Sequence, residues 1–194
     1  MKSSHKNVVI GLMSGTSLDG IDLCACSFEK VNDTIKYKII AAETVDYTSE
    51  WMNTLSNQQL SGQELIKTHH QLGDFLGEKI IKFIDKYSLQ PDLIASHGHT
   101  LYHQPNEGYT FQMGAGANIA AITGVDTICD FRSMDVALGG QGAPLVPIGD
   151  QLLFNQFEAC LNLGGIANIS FQGNEKRNAF DICPVNMALN YLAG

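Results

Sequence analysis

The stretch that decides the fold is GLMSGTSLDGID at residues 11–22, because it joins two apolar runs through a turn rich in glycine and hydroxyl side chains. Residues 8–13 (VVIGLM) and residues 21–28 (IDLCACSF) each have the length and composition of a β-strand. A strand, a tight loop and a second strand predict a β-hairpin.

The loop of this hairpin has the composition of an anion-binding site. Gly15 and Gly20 can adopt positive φ angles that turn successive backbone N–H groups into one concavity, and Ser14, Thr16 and Ser17 add hydroxyl donors. The same residue types also make ordinary β-turns, so the loop alone leaves both interpretations open. It is not a Walker A loop, since residues 11–20 contain no lysine.

A second loop of this kind lies in the segment LNLGGIANIS, after a predicted strand at residues 160–163. Gly164 and Gly165 would form its concavity, and two such loops facing each other would grip a polyphosphate. No GxGxxG stands before a helix with a later acidic residue, so a Rossmann fingerprint is excluded. A nucleotide would instead be held by two opposed hairpins.

The rest of the chain predicts an α/β domain. A strand at residues 35–45 follows the hairpin, and Ser61 and Glu64 form a capping box that opens a long helix before Pro91. Further elements are predicted as strands at 92–96 and 126–131, a helix at 116–123, a glycine-rich loop at 137–149 and a last helix from about residue 184. Antiparallel strands followed by strands alternating with helices indicate a mixed sheet flanked by helices.

The composition restricts the function classes. The 194 residues carry a formal net charge of −8 with 12 scattered Lys and Arg, which argues against a nucleic-acid partner. No run approaches the ~18 apolar residues of a membrane span, so a soluble, cytoplasmic protein is expected. The five cysteines are odd in number and lack a CxxC pair, which favours reduced, buried thiols.

Five segments in one order carry a resemblance to a known family. GLMSGTSLDGID, SHGHTLYHQP, DFRSMDVALGGQGAPLVP, LNLGGIANIS and FDICPVN resemble the anhydro-N-acetylmuramic acid kinases over residues 8–190. The resemblance implies an actin/hexokinase/Hsp70-like architecture of two ribonuclease-H-like lobes with ATP between them. It implies nucleotide-binding roles for Gly15, Thr16, Ser17, Leu18, Asp19, Gly20, Ile21, Asp22, Gly164, Gly165 and Asn168.

The same resemblance implies a reaction and its residues. Such a kinase opens the 1,6-anhydro bridge of its sugar with water and phosphorylates the freed 6-oxygen, giving N-acetylmuramate 6-phosphate in peptidoglycan recycling. Asp181 would be the general base, and His97, Arg132 and Asn186 would bind the sugar. ATP and Mg²⁺ are the expected cofactors; Asp19 and Asp22 would hold Mg²⁺ through water, and no direct protein ligand is assigned.

Each side chain also has a plainer interpretation. Asp181 precedes Pro184 and the predicted last helix, which it could cap. Arg132 could form a salt bridge with Asp130 or Asp135. A zinc site and a hydrolase built on His97, His99 and His103 remain a further alternative, although no CxxC or carboxylate pattern supports them.

The chain departs from the family at one motif. Relatives usually carry DTGPGN where residues 181–186 read DICPVN, so Ile182, Cys183 and Val185 replace a hydroxyl and two glycines. A valine in place of a glycine adds bulk and excludes a positive φ, which would narrow the pocket or impair the sugar chemistry. Asp181 and Asn186 keep the family's residue types.

The length predicts a protein that lacks part of the family's fold. Residues 1–145 would form the first lobe with sugar-pocket segments, and residues 146–194 would begin a second, incomplete lobe in a truncated chain. The chain alone is then expected to bind ATP weakly and to turn over little. Expected partners are the amino sugar and ATP, with a second copy or the missing C-terminal half left open. The alternative function is a catalytically dead half-domain that binds a ligand or a partner.

Overall fold

The computed structural model describes residues 6–15, 18, 20–32, 34–56, 59–174 and 176–193. The first part of the chain forms three strands, two helices and a fourth strand. They are β1 (Lys6–Ser14), β2 (Ile21–Val31), β3 (Thr34–Val45), α1 (Ser49–Ser56), α2 (Gly62–Tyr87) and β4 (Leu93–Ser96).

The second part alternates short strands and helices. The elements are β5 (His99–Gln104), a 3₁₀ turn (Pro105–Glu107), β6 (Tyr109–Met113), α3 (Gly116–Thr123), β7 (Thr127–Ile128), α4 (Ser133–Ala137), α5 (Val146–Leu153), β8 (Ala159–Leu163), β9 (Ile166–Gln172), β10 (Arg177–Pro184) and α6 (Asn186–Ala193).

The main sheet is mixed and has the strand order β3-β2-β1-β4-β7. The first three strands pair antiparallel, whereas β4 and β7 run parallel to β1, so that β2 alone runs against the others. The prediction of an α/β domain with a mixed sheet flanked by helices is confirmed.

The core lies between one face of this sheet and the long helix α2. Leu72, Leu76, Ile80 and Phe83 follow helical spacing on α2 and are fully buried against alternate residues of β1 and β2. The capping box predicted at Ser61 and Glu64 is present in both directions. The sequence therefore predicted both the start of the helix and the face that it buries.

Three predictions about secondary structure need correction. The strand predicted at 126–131 has only two residues, because Asp130 takes a positive φ of 56° and its carboxylate accepts hydrogen bonds from Ser133 that open α4. The glycine-rich stretch contains the start of α5, where Pro147 occupies the first helical turn. The last helix starts at Asn186, two residues later than predicted.

Two smaller sheets complete the fold. β5 and β6 form a hairpin, and β8, β9 and β10 form an antiparallel sheet in which β10 and β8 are the edges. Helix α5 contacts both β3 and β10, and the ring of Phe154 behind it meets Tyr37 edge-on at 5.8 Å. Among the helices of the described residues, none combines the length and apolarity needed to cross a membrane.

Helices α2 and α3 approach closely at Gly73. A Cβ atom there would lie 2.6 Å from the carbonyl oxygen of Ala115 and 2.9 Å from the Cβ of Asn118. We therefore expect Gly73→Ala to lower the free energy of unfolding by about 1–3 kcal/mol, because the two helices must separate. Urea-induced unfolding measures the change.

The matched control is Gly62→Ala in the same helix. A Cβ at Gly62 would have no neighbour within 4 Å, and alanine is the better helix former, so stability should be kept or rise slightly. Equal behaviour of the two variants would show that α2 and α3 do not pack as described.

Candidate active site

The first glycine loop connects β1 to β2, as the sequence predicts. Gly20 has a φ of 149°, and Leu18, at 56°, takes the left-handed conformation and packs its side chain on the core. The Leu18 N–H donates to the Gly15 carbonyl at 3.4 Å. Thr16, Ser17 and Asp19 lie outside the described residues.

The two residues after the loop point to opposite faces of β2. Ile21 is fully buried, so its side chain belongs to the core and only its backbone can face a nucleotide. Asp22 is exposed on the other face, where Thr44 Oγ1 donates to its Oδ1 at 2.5 Å. An exposed carboxylate such as this one suits a water-mediated contact with a cation.

The stretch at residues 97–99 turns sharply between β4 and β5. Gly98 has a φ of 73°, and a Cβ atom there would lie 2.5 Å from the Met113 carbonyl oxygen. Any other residue type would be strained at this position. The turn sends the rings of His97 and His99 to different neighbours.

His99 ties this turn to the first glycine loop. Its ring is 4% exposed and hydrogen-bonds to the backbone of Gly15. Within the described residues, its Nδ1 and the hydroxyl of Ser14 are buried without a partner. From the sequence, His99 could be a zinc ligand or a structural histidine, and no local pattern indicated its contact with residue 15.

His97 is held in one tautomer by its own turn. Its Nδ1 donates to the Gly98 carbonyl at 2.8 Å, which leaves Nε2 as an acceptor. Arg132 donates to that Nε2 from Nε at 3.1 Å and from Nη2 at 2.8 Å. Both residues were predicted to bind the sugar, and in the structure they contact each other directly.

Arg132 is also fixed from the glycine-rich loop. Its Nη1 donates to the carbonyl of Gly142 at 2.5 Å, while the N–H of Gly142 donates to Asp135 at 2.6 Å. Within the described residues, Arg132 is ion-paired with neither Asp130 nor Asp135, so the salt-bridge alternative is wrong. Sequence reasoning missed Asp135 as the residue that fastens this loop; the GGQG run was the available signal.

The second glycine loop is the turn between β8 and β9. Gly164 does not take a positive φ, contrary to the expectation for an anion cradle. Instead, the carbonyls of Gly165 and Gly164 accept hydrogen bonds from the N–H groups of Val185 and Asn186 at 2.9 and 3.1 Å. The start of α6 is thereby fastened to the loop, and Asn186 lies beside it.

Asp181 lies on β10 opposite Asn168 of β9, and Asn162 of β8 continues the row. Directly paired residues share a sheet face, so the three polar side chains lie side by side. Asp181 lies inside a strand, well before α6, so it does not cap that helix. Asn162 was not predicted, although period-two alternation places it on this face.

The surroundings of Asp181 differ from expectation in one respect. We expected a partly desolvated carboxylate, but the residue is exposed, because β10 is an edge strand. A β-bulge follows at Ile182, between Asp181 and Cys183. Bulges re-aim side chains next to active sites. Of the residues that depart from the family motif, Ile182 thus forms this bulge, Cys183 lies near the end of β10 and Val185 follows the strand.

Arg132 lies beside the first glycine loop. It lines a cavity of about 260 Å³ with Gly15, His97 and Thr100. It is also close enough to Asp181 for that carboxylate to raise its pKa, although burial lowers the pKa of Arg132 by more. The first loop, the half-buried guanidinium and the row containing Asp181 and Asn168 are therefore on the same side of the molecule.

The zinc alternative does not fit the histidine contacts. His97 Nε2 accepts from Arg132, His99 bonds to Gly15, and His103 Nδ1 pairs with Thr110 at 3.1 Å. In the part of the chain that the structure describes, no three His, Cys, Asp or Glu side chains converge as a metal site.

Burial gives the site histidines a preference for the neutral form. Burial lowers the pKa of His97, the hydrogen bond to Gly98 opposes this, and the charge of Arg132 lowers the pKa further. Burial likewise lowers the pKa of His99 and of His69. Neutral His97 is the state that can accept from Arg132.

The titration of His97 tests this arrangement. We expect its ring to titrate below the ordinary histidine pKa of about 6.5, and Arg132→Gln to raise that midpoint, because it removes a nearby positive charge. Histidine ring NMR measures the midpoints. Arg177→Gln, which removes an arginine bonded to Ser170 and Cys160, is the control and should leave it in place. A midpoint that is unchanged in Arg132→Gln would contradict the contact.

Stability should depend on pH through the same groups. Because His69, His97 and His99 have lower pKa values folded than unfolded, the unfolded state binds more protons just below pH 6.5. Their contribution is complete above about pH 6.5 and is lost as the pH falls through the folded pKa values. The urea midpoint should therefore drop between pH 7.5 and pH 5.5; a rise would refute the assignment.

The sequence of this chain matches a family of known proteins. The profile described as anhydro-N-acetylmuramic acid kinase matches residues 7–193. A protein of that name from Pasteurella multocida is 42% identical over 194 residues, covering 93% of this chain and 50% of the relative. One from Pseudoalteromonas translucida is 34% identical over 205 residues, covering 94% and 51%.

A solved structure of the Ppx/GppA family from Aquifex aeolicus aligns with 96% of this chain and 54% of its own, at 11% identity and a TM-score of 0.45. At that score the likeness supports no conclusion about this chain. The chain spans about half the length of the curated relatives it matches. From the match over residues 7–193, the chain belongs to the anhydro-N-acetylmuramic acid kinase family.

Proposed function

We propose that this chain provides the sugar pocket and the two phosphate-facing loops of an ATP-dependent kinase for 1,6-anhydro-N-acetylmuramate. The reaction opens the anhydro bridge and phosphorylates the 6-oxygen, giving N-acetylmuramate 6-phosphate in peptidoglycan recycling. Relatives that cover the chain almost completely carry the name of this enzyme. The proposal rests on the position of Arg132 between Gly15 and Asp181.

Asp181 is proposed as the general base. An exposed carboxylate at a bulge is accessible to water, and it would take a proton from the water that attacks the anomeric carbon. The C1–O6 bond then breaks, and the released 6-oxygen attacks the γ-phosphorus of ATP; the bond from this phosphorus to the β–γ bridging oxygen breaks, and ADP leaves. Asn168 and Asn162, beside Asp181 in the sheet, can orient this water or the sugar by hydrogen bonds.

Arg132 is proposed to bind the anion of the substrate. A guanidinium has five N–H donors, and His97 and Gly142 engage three of those of Arg132. One N–H remains on each terminal nitrogen, which is the arrangement that binds a carboxylate or phosphate bidentately. The lactyl carboxylate of the sugar is the anion that the cavity next to Gly15 would take.

The first loop is proposed to hold the phosphates of Mg-ATP, which supplies the phosphoryl group. The positive φ angles of Leu18 and Gly20 turn the backbone, and at its base lies the buried hydroxyl of Ser14, which has no partner among the residues that the structure describes. Asp22 would face Mg²⁺ through water. Gly164, Gly165 and Asn168 would approach the phosphates from the second sheet, while Asn186 at the start of α6 would contact the sugar.

Three further proposals concern the whole protein. The first lobe would comprise residues 1–145, and α5 at Val146 would begin the second. Turnover requires the remainder of the family's fold, supplied by a longer chain or by a partner. ATP as a substrate and five cysteines without a disulfide suit a cytoplasmic location.

The substrate binding of this chain can be measured directly. We expect it to bind 1,6-anhydro-N-acetylmuramate by isothermal titration calorimetry, and Arg132→Lys to weaken binding by about tenfold or more, since a bidentate contact becomes a point charge. Arg177→Lys, in the other sheet, is the matched control. If Arg132→Lys and the unaltered chain bound the sugar with equal affinity, the proposal that Arg132 binds the sugar would be wrong.

Turnover is tested after fusion to the second half of the Pasteurella multocida relative. Asp181→Asn should lower sugar phosphate formation about 10²–10⁴-fold, as expected for loss of a general base. Asp85→Asn, an exposed carboxylate at the far end of α2, should keep the rate. Sugar binding without any product in the fusion would favour the alternative of a catalytically dead ligand-binding half-domain.

A further inference from the structure

Two thiols meet on the open face of the main sheet. Cys24 and Cys26 are alternate residues of β2 and therefore point to the same side of the strand. Two residues of a strand advance by about 6.6 Å, yet the two sulfurs lean together to 3.6 Å. Both side chains are half-buried, and neither cysteine is in a disulfide.

The neighbouring strands leave space above this pair. The cross-strand partners of Cys24 are Gly11 on β1 and Ala42 on β3, which have little or no side chain. An open groove of about 360 Å³ runs along Asp22, Cys24, Ala42 and Thr44. A small group can therefore reach the sulfur of Cys24 through this groove. The sulfur of Cys26 lies 3.6 Å from it, on a residue whose cross-strand partners are Val9 and Ile39.

The distance between the sulfurs selects the geometry of an occupant. A centre with linear coordination and bonds of about 2.3 Å would separate two sulfurs by about 4.6 Å. A bent centre with bond angles near those of a pyramid or tetrahedron separates them by about 3.5–3.8 Å. The observed 3.6 Å fits the bent arrangement.

The number of ligands narrows the choice further. A structural zinc site takes four protein ligands, and among the described residues no third His, Cys, Asp or Glu completes a group here. A trivalent arsenical with one organic substituent needs only two sulfurs, because the substituent occupies its third position.

We propose that Cys24 and Cys26 form a dithiol site that binds trivalent arsenicals as a cyclic dithioarsonite. Each thiol gives its proton to one hydroxyl on arsenic, two As–S bonds replace two As–O bonds, and two water molecules leave. Arsenic stays trivalent, so no oxidant or reductant takes part.

The protonation state of the pair agrees with this chemistry. Burial, together with the neighbouring Cys24, raises the pKa of Cys26 to about 11. A thiol of this kind carries little thiolate at neutral pH and is a poor nucleophile towards peroxides or disulfides. Exchange at arsenic does not need a free thiolate, since the leaving hydroxyl takes the proton.

Phenylarsine oxide is the probe for the unaltered chain. We expect one phenylarsenic group per chain in the intact mass, with the loss of two thiol protons. Tryptic cleavage separates this pair from the other cysteines. Cys24 and Cys26 share peptide 7–30. The other three cysteines lie in three different peptides, namely 87–132 (Cys129), 133–176 (Cys160) and 178–194 (Cys183). The adduct should lie in peptide 7–30; its presence in any of the others instead would overturn the proposal.

Single substitutions test the chelate. Cys24→Ala and Cys26→Ala should each weaken binding by about tenfold or more, because the second bond of a chelate forms at high effective concentration. Cys183→Ala, an exposed thiol on β10, is the control and should keep the affinity. Excess 2,3-dimercaptopropanol should strip the adduct, and glutathione at the same thiol concentration should not.

The test does not depend on whether the alanine variants fold. If an alanine variant does not fold, the peptide map of the unaltered chain still decides whether the pair is the site. Two phenylarsenic groups on separate cysteines, or equal affinity in folded Cys24→Ala, would each show that the thiols act singly and would refute the dithiol.

Discussion

The site depends on one contact, in which the half-buried guanidinium of Arg132 donates to Nε2 of His97. The imidazole can accept because its Nδ1 is committed to the Gly98 carbonyl, which fixes the neutral tautomer. A buried charge without partners would be costly. The Gly142 carbonyl meets part of that need from a third segment, so residues 97, 132 and 142 hold one another in place.

The backbone around this contact has little freedom to change. Gly98 sits where a side chain would collide with Met113, and the adjacent His99 ring reaches Gly15. The first glycine loop is therefore connected to the histidine turn, which is in turn bonded to Arg132. The negative charge of Asp181, on β10, acts to raise the pKa of Arg132. Arg132 therefore interacts both with the histidine turn, by hydrogen bonds, and with a residue of the second sheet, by charge.

Local sequence signals predicted the elements with strong patterns. The capping box at Ser61, the spacing of Leu72 and Leu76, and the hairpin around Gly20 are all rules of short range, and each is present. Predictions from weaker patterns were wrong where a side-chain hydrogen bond changes the course of the backbone. The run at 126–131 looks like a strand, but the carboxylate of Asp130 bonds to Ser133 and turns the chain into a helix. The hairpin of β5 and β6 was not predicted, although its connection, residues 105–108 (PNEG), consists of typical turn residues.

By itself, the sequence determined the fold class, the family resemblance and the set of polar residues that carry the proposed chemistry, because these follow from periodicity and from ordered motifs. Only the tertiary structure decided which of those residues meet. Arg132 is 35 residues from His97 and 49 from Asp181 in the chain, and no local rule gives the distance between such segments. The exposure of Asp181 likewise follows from the position of β10 at a sheet edge. Contacts of this range are set by the packing of whole sheets, which is a property of the assembled core and not of any single stretch.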